Sequence, residues 1–204
     1  MIAIVNYGLG NVLAIANIYK RLGIAASIVD SPDELRKAEK IILPGVGAFD
    51  WAMTRLNESG MRDQIEELVV EKSRPVLGIC VGMQMMAASS EEGKLPGFGW
   101  FDAEVRRFDE SAFTSKTLLP HMGWNDVMPR QTDSLFGGLD EQARFYFLHS
   151  YYFAPRTDAD VLADTNYNGP FASSVRRGNL FGVQFHPEKS HQWGIRLLQN
   201  FAEL

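Results

Sequence analysis

The chain has 204 residues, a formal net charge of -5 and one cysteine. A domain of this size buries roughly 70% of its unfolded surface, so it needs no metal or disulfide staple, and a lone thiol excludes an internal disulfide or a C-x-x-C site. The acidic balance argues against a sequence-independent nucleic-acid binder, a reading that the short basic stretch SVRRG (174–178) does not overturn, and no apolar run reaches membrane-spanning length. The first residues, MIAIVNYG, lack a basic leader region and read as a strand, which predicts a cytoplasmic protein.

In chain order, IAIVN (2–6) predicts a strand, and GNVLAIANIYKRLG (10–23) carries helical spacing through Val12, Ile15, Ala16 and Tyr19. AASIVD (25–30) is a second strand. SPDELRKA (31–38) opens a helix, with Ser31 as N-cap, Pro32 at the first helical position and Glu34 three residues on. KIILP (40–44) is a third strand, followed by helical patterns at about 48–57 and 61–72. RPVLGI (74–79) is a fourth strand that enters a helix from Gly82 to about Ser89. Strands apolar on both faces, alternating with helices, predict an α/β fold with a parallel sheet covered on both sides. The second half differs: AEVRRF, RFYFLHSYYF, VLADT, FASSV and LFGVQF sit between turn clusters, and a helix at about 189–203 closes the chain. This predicts antiparallel additions to the same sheet, so residues 1–204 read as one domain.

The cysteine, Cys80, lies in GICVGMQ (78–84), at a strand end between Gly78 and Gly82. Ligands collect at the carboxyl ends of strands in such sheets. A glycine-flanked nucleophile between strand and helix is an elbow that thrusts the side chain outward, and the next backbone N–H, of Val81, becomes an oxyanion donor. The competing reading is an inert buried thiol.

A thiol nucleophile needs a base, and the base an orienting group. His186 follows the strand candidate LFGVQF, and Glu188, two residues on, shares its face in extended chain, with Pro187 turned away. HPE is equally a helix start, with proline at its first position. The loop LPGVGAFD (43–50) ends the third strand, and its glycines let backbone N–H groups turn towards an oxyanion. Two rival constellations are weaker. Gly8 and Gly10, with Asp30 beyond, mimic a dinucleotide fingerprint, but Leu13 stands where a third small residue belongs. His186, Glu188 and His149 mimic an iron-binding triad, which leaves the elbow thiol unexplained. His121 and His191 read as turn or surface residues.

Taken together, PGVGAFD, GICVGMQ, PHMGWN, FYFLHSYY and GVQFHPEKS resemble the class I (triad) glutamine amidotransferases, and within them the glutaminase subunit of imidazole glycerol phosphate synthase. The likeness runs end to end. It implies a flavodoxin-like fold, with a central mostly parallel sheet, flanking helices and antiparallel additions in the second half. It implies Cys80 as nucleophile, His186 as acid/base and Glu188 as its orienting carboxylate, with the oxyanion held by Val81, Val46 and Gly47. Gln84, Glu92, Ser150 and Tyr151 correspond to glutamine-binding positions, and Asn11, Trp124 and Tyr146 to the face that docks a partner. His149 matches no catalytic member.

The implied reaction is hydrolysis of L-glutamine to glutamate and ammonia, with no cofactor and no metal. The implied partner is a synthase or cyclase subunit, a (β/α)₈ barrel in the family, forming a heterodimer with no nucleic acid or membrane involved. One stretch departs: KLPGFGWFDAEVRRF (94–108) is closer to a paralogous branch that supplies ammonia for amidination of bacterial surface sugars. The shared docking motifs favour imidazole glycerol phosphate synthase and histidine biosynthesis, with the surface-polysaccharide branch as the alternative. A decayed, non-catalytic regulatory module is a third reading, against which the intact Cys80, His186 and Glu188 speak.

Overall fold

Uninterrupted apolar runs become strands buried on both faces. In the computed structural model, which describes residues 1–114, 117–130, 134–140 and 142–204, β1 (Ile2–Val5) is buried at every position. It leads through α1 (Val12–Leu22) to β2 (Ala26–Val29) and the short α2 (Pro32–Leu35). Next come β3 (Lys40–Gly45), α3 (Phe49–Glu58) and α4 (Arg62–Glu66), the last continued by one wide π turn over Glu67–Glu71. β4 (Val76–Cys80), buried throughout, runs directly into α5 (Val81–Gln84).

Two expected helices are shorter in the structure. The carbonyls of Met85, Met86 and Ala87 accept from the N–H groups of Phe98, Phe101 and Gly99, so the loop at 97–101 takes the bonds that would have extended α5 towards residue 89. Ala88 instead donates to Ala103, and β5 (Ser89–Ser90) joins the sheet edge. In α2, Ser31 makes no side-chain cap; Glu34 reaches back to the Asp30 N–H at 3.3 Å, and Glu39 N–H leaves for the Met1 carbonyl. Tertiary hydrogen bonds override the local helix signal after Cys80, whereas after Leu35 the chain tightens into local bonds from Lys37 to Glu34 and from Ala38 to Leu35.

The second half supplies β6 (Ala103–Arg107), β7 (His121–Asp126), β8 (Met128–Pro129), β9 (Arg144–His149), β10 (Tyr151–Pro155), β11 (Val161–Asn166), β12 (Pro170–Arg177), β13 (Leu180–Val183) and the closing α6 (His191–Glu203). The expected single run RFYFLHSYYF is broken at Ser150 into β9 and β10, and PHMGWN forms a strand that its composition did not announce. Among the described residues the main sheet runs β2-β1-β3-β4-β13-β12-β10-β6-β5, with β11 beside β12 and β8 beside β11. The five strands β2 to β13 of this order are parallel; β12, β10 and β6 continue it antiparallel. β7 and β9 form a separate antiparallel ribbon.

The crossover from β1 to β2 runs opposite to those from β2 to β3 and β3 to β4. The right-handed rule therefore places α1 on one face and α2 to α4 on the other. α6 joins α1, where the buried Tyr19 hydroxyl donates to the Leu198 carbonyl at 3.0 Å. The decisive placement is β13, a late strand that lies parallel beside β4, with Val183 opposite Ile79. The chain leaving β13 therefore emerges next to Cys80.

Candidate active site

Cys80 ends β4 with φ 55 and ψ -115, a conformation rare for a residue with a side chain. Such strain costs about 1–3 kcal/mol and persists only where the surroundings impose it. The surroundings do so by tight packing. A Cβ on Gly82 would stand 1.8 Å from the Leu43 carbonyl oxygen, and one on Gly78 would stand 2.7 Å from the Gly82 carbonyl oxygen. Only glycines let β3, β4 and the turn approach this closely. The thiol is 4% exposed and lines a cavity of about 350 Å³. At the start of a one-turn helix, the Val81 N–H has no carbonyl of its own helix to bond.

His186 sits three residues past β13. Its N–H donates to the Tyr146 carbonyl at 2.9 Å, and its Nδ1 lies 2.9 Å from Glu188 Oε1. Glu188 does not meet it through extended chain, as the i, i+2 reading expected: Pro187–Lys189 is a tight 3₁₀ turn that folds the carboxylate back onto the ring. The helix-start reading of HPE and the pairing both hold. Burial opposes a charge on His186, but hydrogen bonds to Cys80 and Glu188, and their negative charge, outweigh it and push the imidazole up to about 10. Burial likewise opposes the Glu188 carboxylate, which bonds from His186 and Asn11 and the imidazolium charge hold below the usual range.

The structure brings the other expected site residues around the same cavity. Val46, Gly47, Val81, Gln84, Glu92, Ser150 and Tyr151 all line it. Gly47 has φ 86, the left-handed turn that ends the β3 loop. Gln84 spends its amide N–H groups inside the protein, on the Tyr151 carbonyl (3.1 Å) and Gln184 Oε1 (3.0 Å). Glu92 Oε2 accepts from the Phe49 N–H at the start of α3, at 2.9 Å.

Asn11, expected on the docking face, also reaches inward: its Nδ2 donates to Glu188 Oε1 at 2.7 Å. Trp124 and Tyr146 are cross-strand neighbours on the β7–β9 ribbon, with rings 6.2 Å apart and Trp124 37% exposed. Lys189 lies over the Tyr146 ring, and His191 stacks on Trp124 at 5.1 Å.

Sequence reasoning missed Gln184, whose Nε2 lies 3.7 Å from the Cys80 sulfur. The signal was present: Gln184 lies in the apolar run LFGVQF only two residues before His186, at the point where the chain leaves β13. It also missed Lys189, Leu148 and Pro120 on the cavity wall. His121 is not a turn or surface residue: it is 3% exposed on β7, where it pairs with His149. His149 commits Nε2 to His121 and Nδ1 to the Tyr151 carbonyl, which leaves no lone pair for an iron ion. No group of three metal-binding side chains occurs among the described residues. Nor is any of their helices long and apolar enough to cross a membrane.

A strained buried sulfur, an imidazole beside it, a carboxylate behind that, and backbone donors at the strand ends together form an arrangement for acyl transfer. This chain belongs to the class-I glutamine amidotransferases, whose family model matches residues 3–204. More particularly, it is 56% identical over the full length of both chains to imidazole glycerol phosphate synthase subunit HisH of Bdellovibrio bacteriovorus. It is 48% identical, again over both full lengths, to the subunit of that name from Leptospira interrogans. The fold matches a crystal structure described as a glutamine amidotransferase (TM-score 0.73, 22% identity, 100% of this chain and 99% of that one). It also matches the structure of PurLQS from Thermotoga maritima (TM-score 0.70, 19% identity, 99% of this chain and 97% of that one).

Proposed function

We propose that this chain is the glutaminase subunit of imidazole glycerol phosphate synthase, which hydrolyses L-glutamine and passes the ammonia to a cyclase partner in histidine biosynthesis. The observation that carries the chemistry is the seating of His186 beside Cys80, with Nδ1 on Glu188 and a second hydrogen bond to the sulfur. The pathway rests on relatives of that name at 56% and 48% identity across the whole chain.

With the proton held on His186, the Cys80 sulfur attacks the side-chain amide carbon of glutamine. The oxygen of the tetrahedral intermediate is stabilised by the Val81 N–H and by the backbone around Val46 and Gly47, each donor contributing about 3 kcal/mol. His186 then protonates the amide nitrogen, the C–N bond breaks and ammonia leaves, with a thioester remaining on Cys80. Water, deprotonated by His186, attacks the thioester, and glutamate departs with the sulfur restored. Glu188 holds the ring in place and balances the imidazolium throughout. Gln84, Glu92, Ser150 and Tyr151 form the wall that receives the amino-acid end of glutamine.

Ammonia released into water becomes ammonium, which is not a nucleophile, so the reaction calls for a docked acceptor. Trp124, Tyr146 and Asn11 mark the docking face, and Leu13 and Met122, 69% and 65% exposed, extend it. The partner is a (β/α)₈ barrel, the heterodimer is cytoplasmic, and neither a cofactor nor a metal takes part.

Two measurements test this reading. With the partner present, Cys80→Ala is expected to abolish glutamate production, and diazo-oxo-norleucine to label Cys80 in the parent; retained turnover or an unlabelled sulfur overturns the mechanism. Co-purification is expected to return a cyclase, and a sugar amidotransferase in its place overturns the pathway.

A further inference from the structure

His121 and His149 stand outside the sulfur, imidazole and carboxylate row, yet they are built with equal care. They face each other at the end of the β7–β9 ribbon and are 3% and 7% exposed. Tyr167 stacks on His121 with ring centres 3.9 Å apart, and Phe108 and Phe171 flank His149 at 5.5 and 5.3 Å. Filling this space alone would favour apolar rings, because a buried imidazole needs directional partners at both nitrogens.

Every ring nitrogen has one, and the directions are fixed by backbone carbonyls, which only accept. His149 Nδ1 lies 2.8 Å from the Tyr151 carbonyl and so carries the proton. Its Nε2 is then an acceptor, 3.0 Å from His121 Nδ1, which must donate. His121 Nε2 accepts in turn from Asn125 Nδ2 at 3.2 Å, and that amide is oriented by its bond to the Asn166 carbonyl at 2.9 Å. Both rings are therefore neutral, and burial lowers His121 to about 4 and His149 to about 3.

The far end of this row is the cavity wall. The Tyr151 carbonyl that receives His149 also receives Gln84, which donates to Gln184, whose amide reaches the Cys80 sulfur. We propose that His149, held in one tautomer by His121, is a positioning residue for glutamine hydrolysis: its bond to the Tyr151 carbonyl fixes the Tyr151–Tyr152 peptide and with it the Ser150 and Tyr151 stretch of the cavity wall, against which the amino-acid end of the substrate binds. The inference rests on the glutaminase reading of the same cavity.

The test is steady-state glutamine hydrolysis by the chain in complex with its synthase partner. His149→Phe fills the space without the donor and is expected to raise KM for glutamine about tenfold, with kcat within about threefold of the parent. His149→Asn, whose side-chain N–H replaces Nδ1–H, is expected to bring KM back to within about threefold of the parent. A parent-like KM in His149→Phe, or an equal loss in His149→Asn, overturns the proposal. Should His149→Phe not fold, long-range ¹H–¹⁵N correlation spectra of the unsubstituted protein at pH 7 decide instead. Both rings are expected as neutral Nδ1–H tautomers, and an Nε2–H or charged ring at either position overturns it. Cys80→Ala separates the two readings: turnover without the sulfur defeats the glutaminase reading itself, whereas an inactive Cys80→Ala beside a parent-like His149→Phe defeats only this inference.

Discussion

Asn11 and Glu188, 177 residues apart in sequence, share a hydrogen bond of 2.7 Å, and the same Glu188 oxygen lies 2.9 Å from His186. One carboxylate oxygen thus receives both the loop after β1 and the imidazole after β13. Asn11 is in this way a second support for the orientation of Glu188. Asn11→Ala is expected to lower kcat/KM for glutamine about tenfold at saturating partner, the size of a bond to a charged group. Glutamate release against substrate concentration measures it.

The His186 pairing predicts a pH dependence of stability. Its pKa is raised from 6.5 to about 10 in the folded protein, chiefly by Cys80 and Glu188 acting against burial. A raised folded value means that the folded state holds the proton more tightly. The stabilisation is therefore fully present below pH 6.5 and is lost as pH rises towards about 10. Urea unfolding of the parent between pH 6.5 and 10 is expected to show this loss, and His186→Asn to show a flatter profile over the same range.

Gly82→Ala is expected to destabilise the fold by about 3 kcal/mol or more, because the added methyl would stand 1.8 Å from the Leu43 carbonyl oxygen, a backbone atom of β3. Urea unfolding measures the loss. Gly99→Ala, where an added Cβ meets nothing within 4 Å, is the control for space, although its φ of +68 carries its own smaller strain.

Trp124 stands at the exposed edge of the ribbon, in contact with the rings of Tyr146, His191 and Trp193. Aromatic anchors of this kind dominate protein interfaces. Trp124→Ala is expected to weaken partner binding at least tenfold or so, read as Kd by calorimetry, with the ribbon's registry kept by its backbone bonds.

Local sequence carried much of the site because its chemistry depends on short-range geometry. Cys80 between two glycines announces an elbow, since only glycine allows backbone to approach as Gly78 and Gly82 do. The alternation of apolar strands and helices through residue 80 announces a parallel sheet, since burial on both faces leaves no polar positions. The reading failed where distant chain competes for the same hydrogen bonds. The helix after Cys80 stops at Gln84 because residues 98–101 take its carbonyls, and His121 is buried because it finds a second imidazole across the ribbon.

Residue order by itself determined which groups this protein owns for chemistry: one thiol, an imidazole two residues before a carboxylate, and glycines where backbone must crowd. Only the tertiary structure decided that they meet, because that depends on β13 lying beside β4, a strand pairing 104 residues distant in sequence. It also decided that Asn11 and Gln184 complete the row, one bonded to Glu188 and the other beside Cys80. The physical reason is that side-chain type and local turn geometry are written in neighbouring residues, whereas strand order is the outcome of burying every apolar face at once.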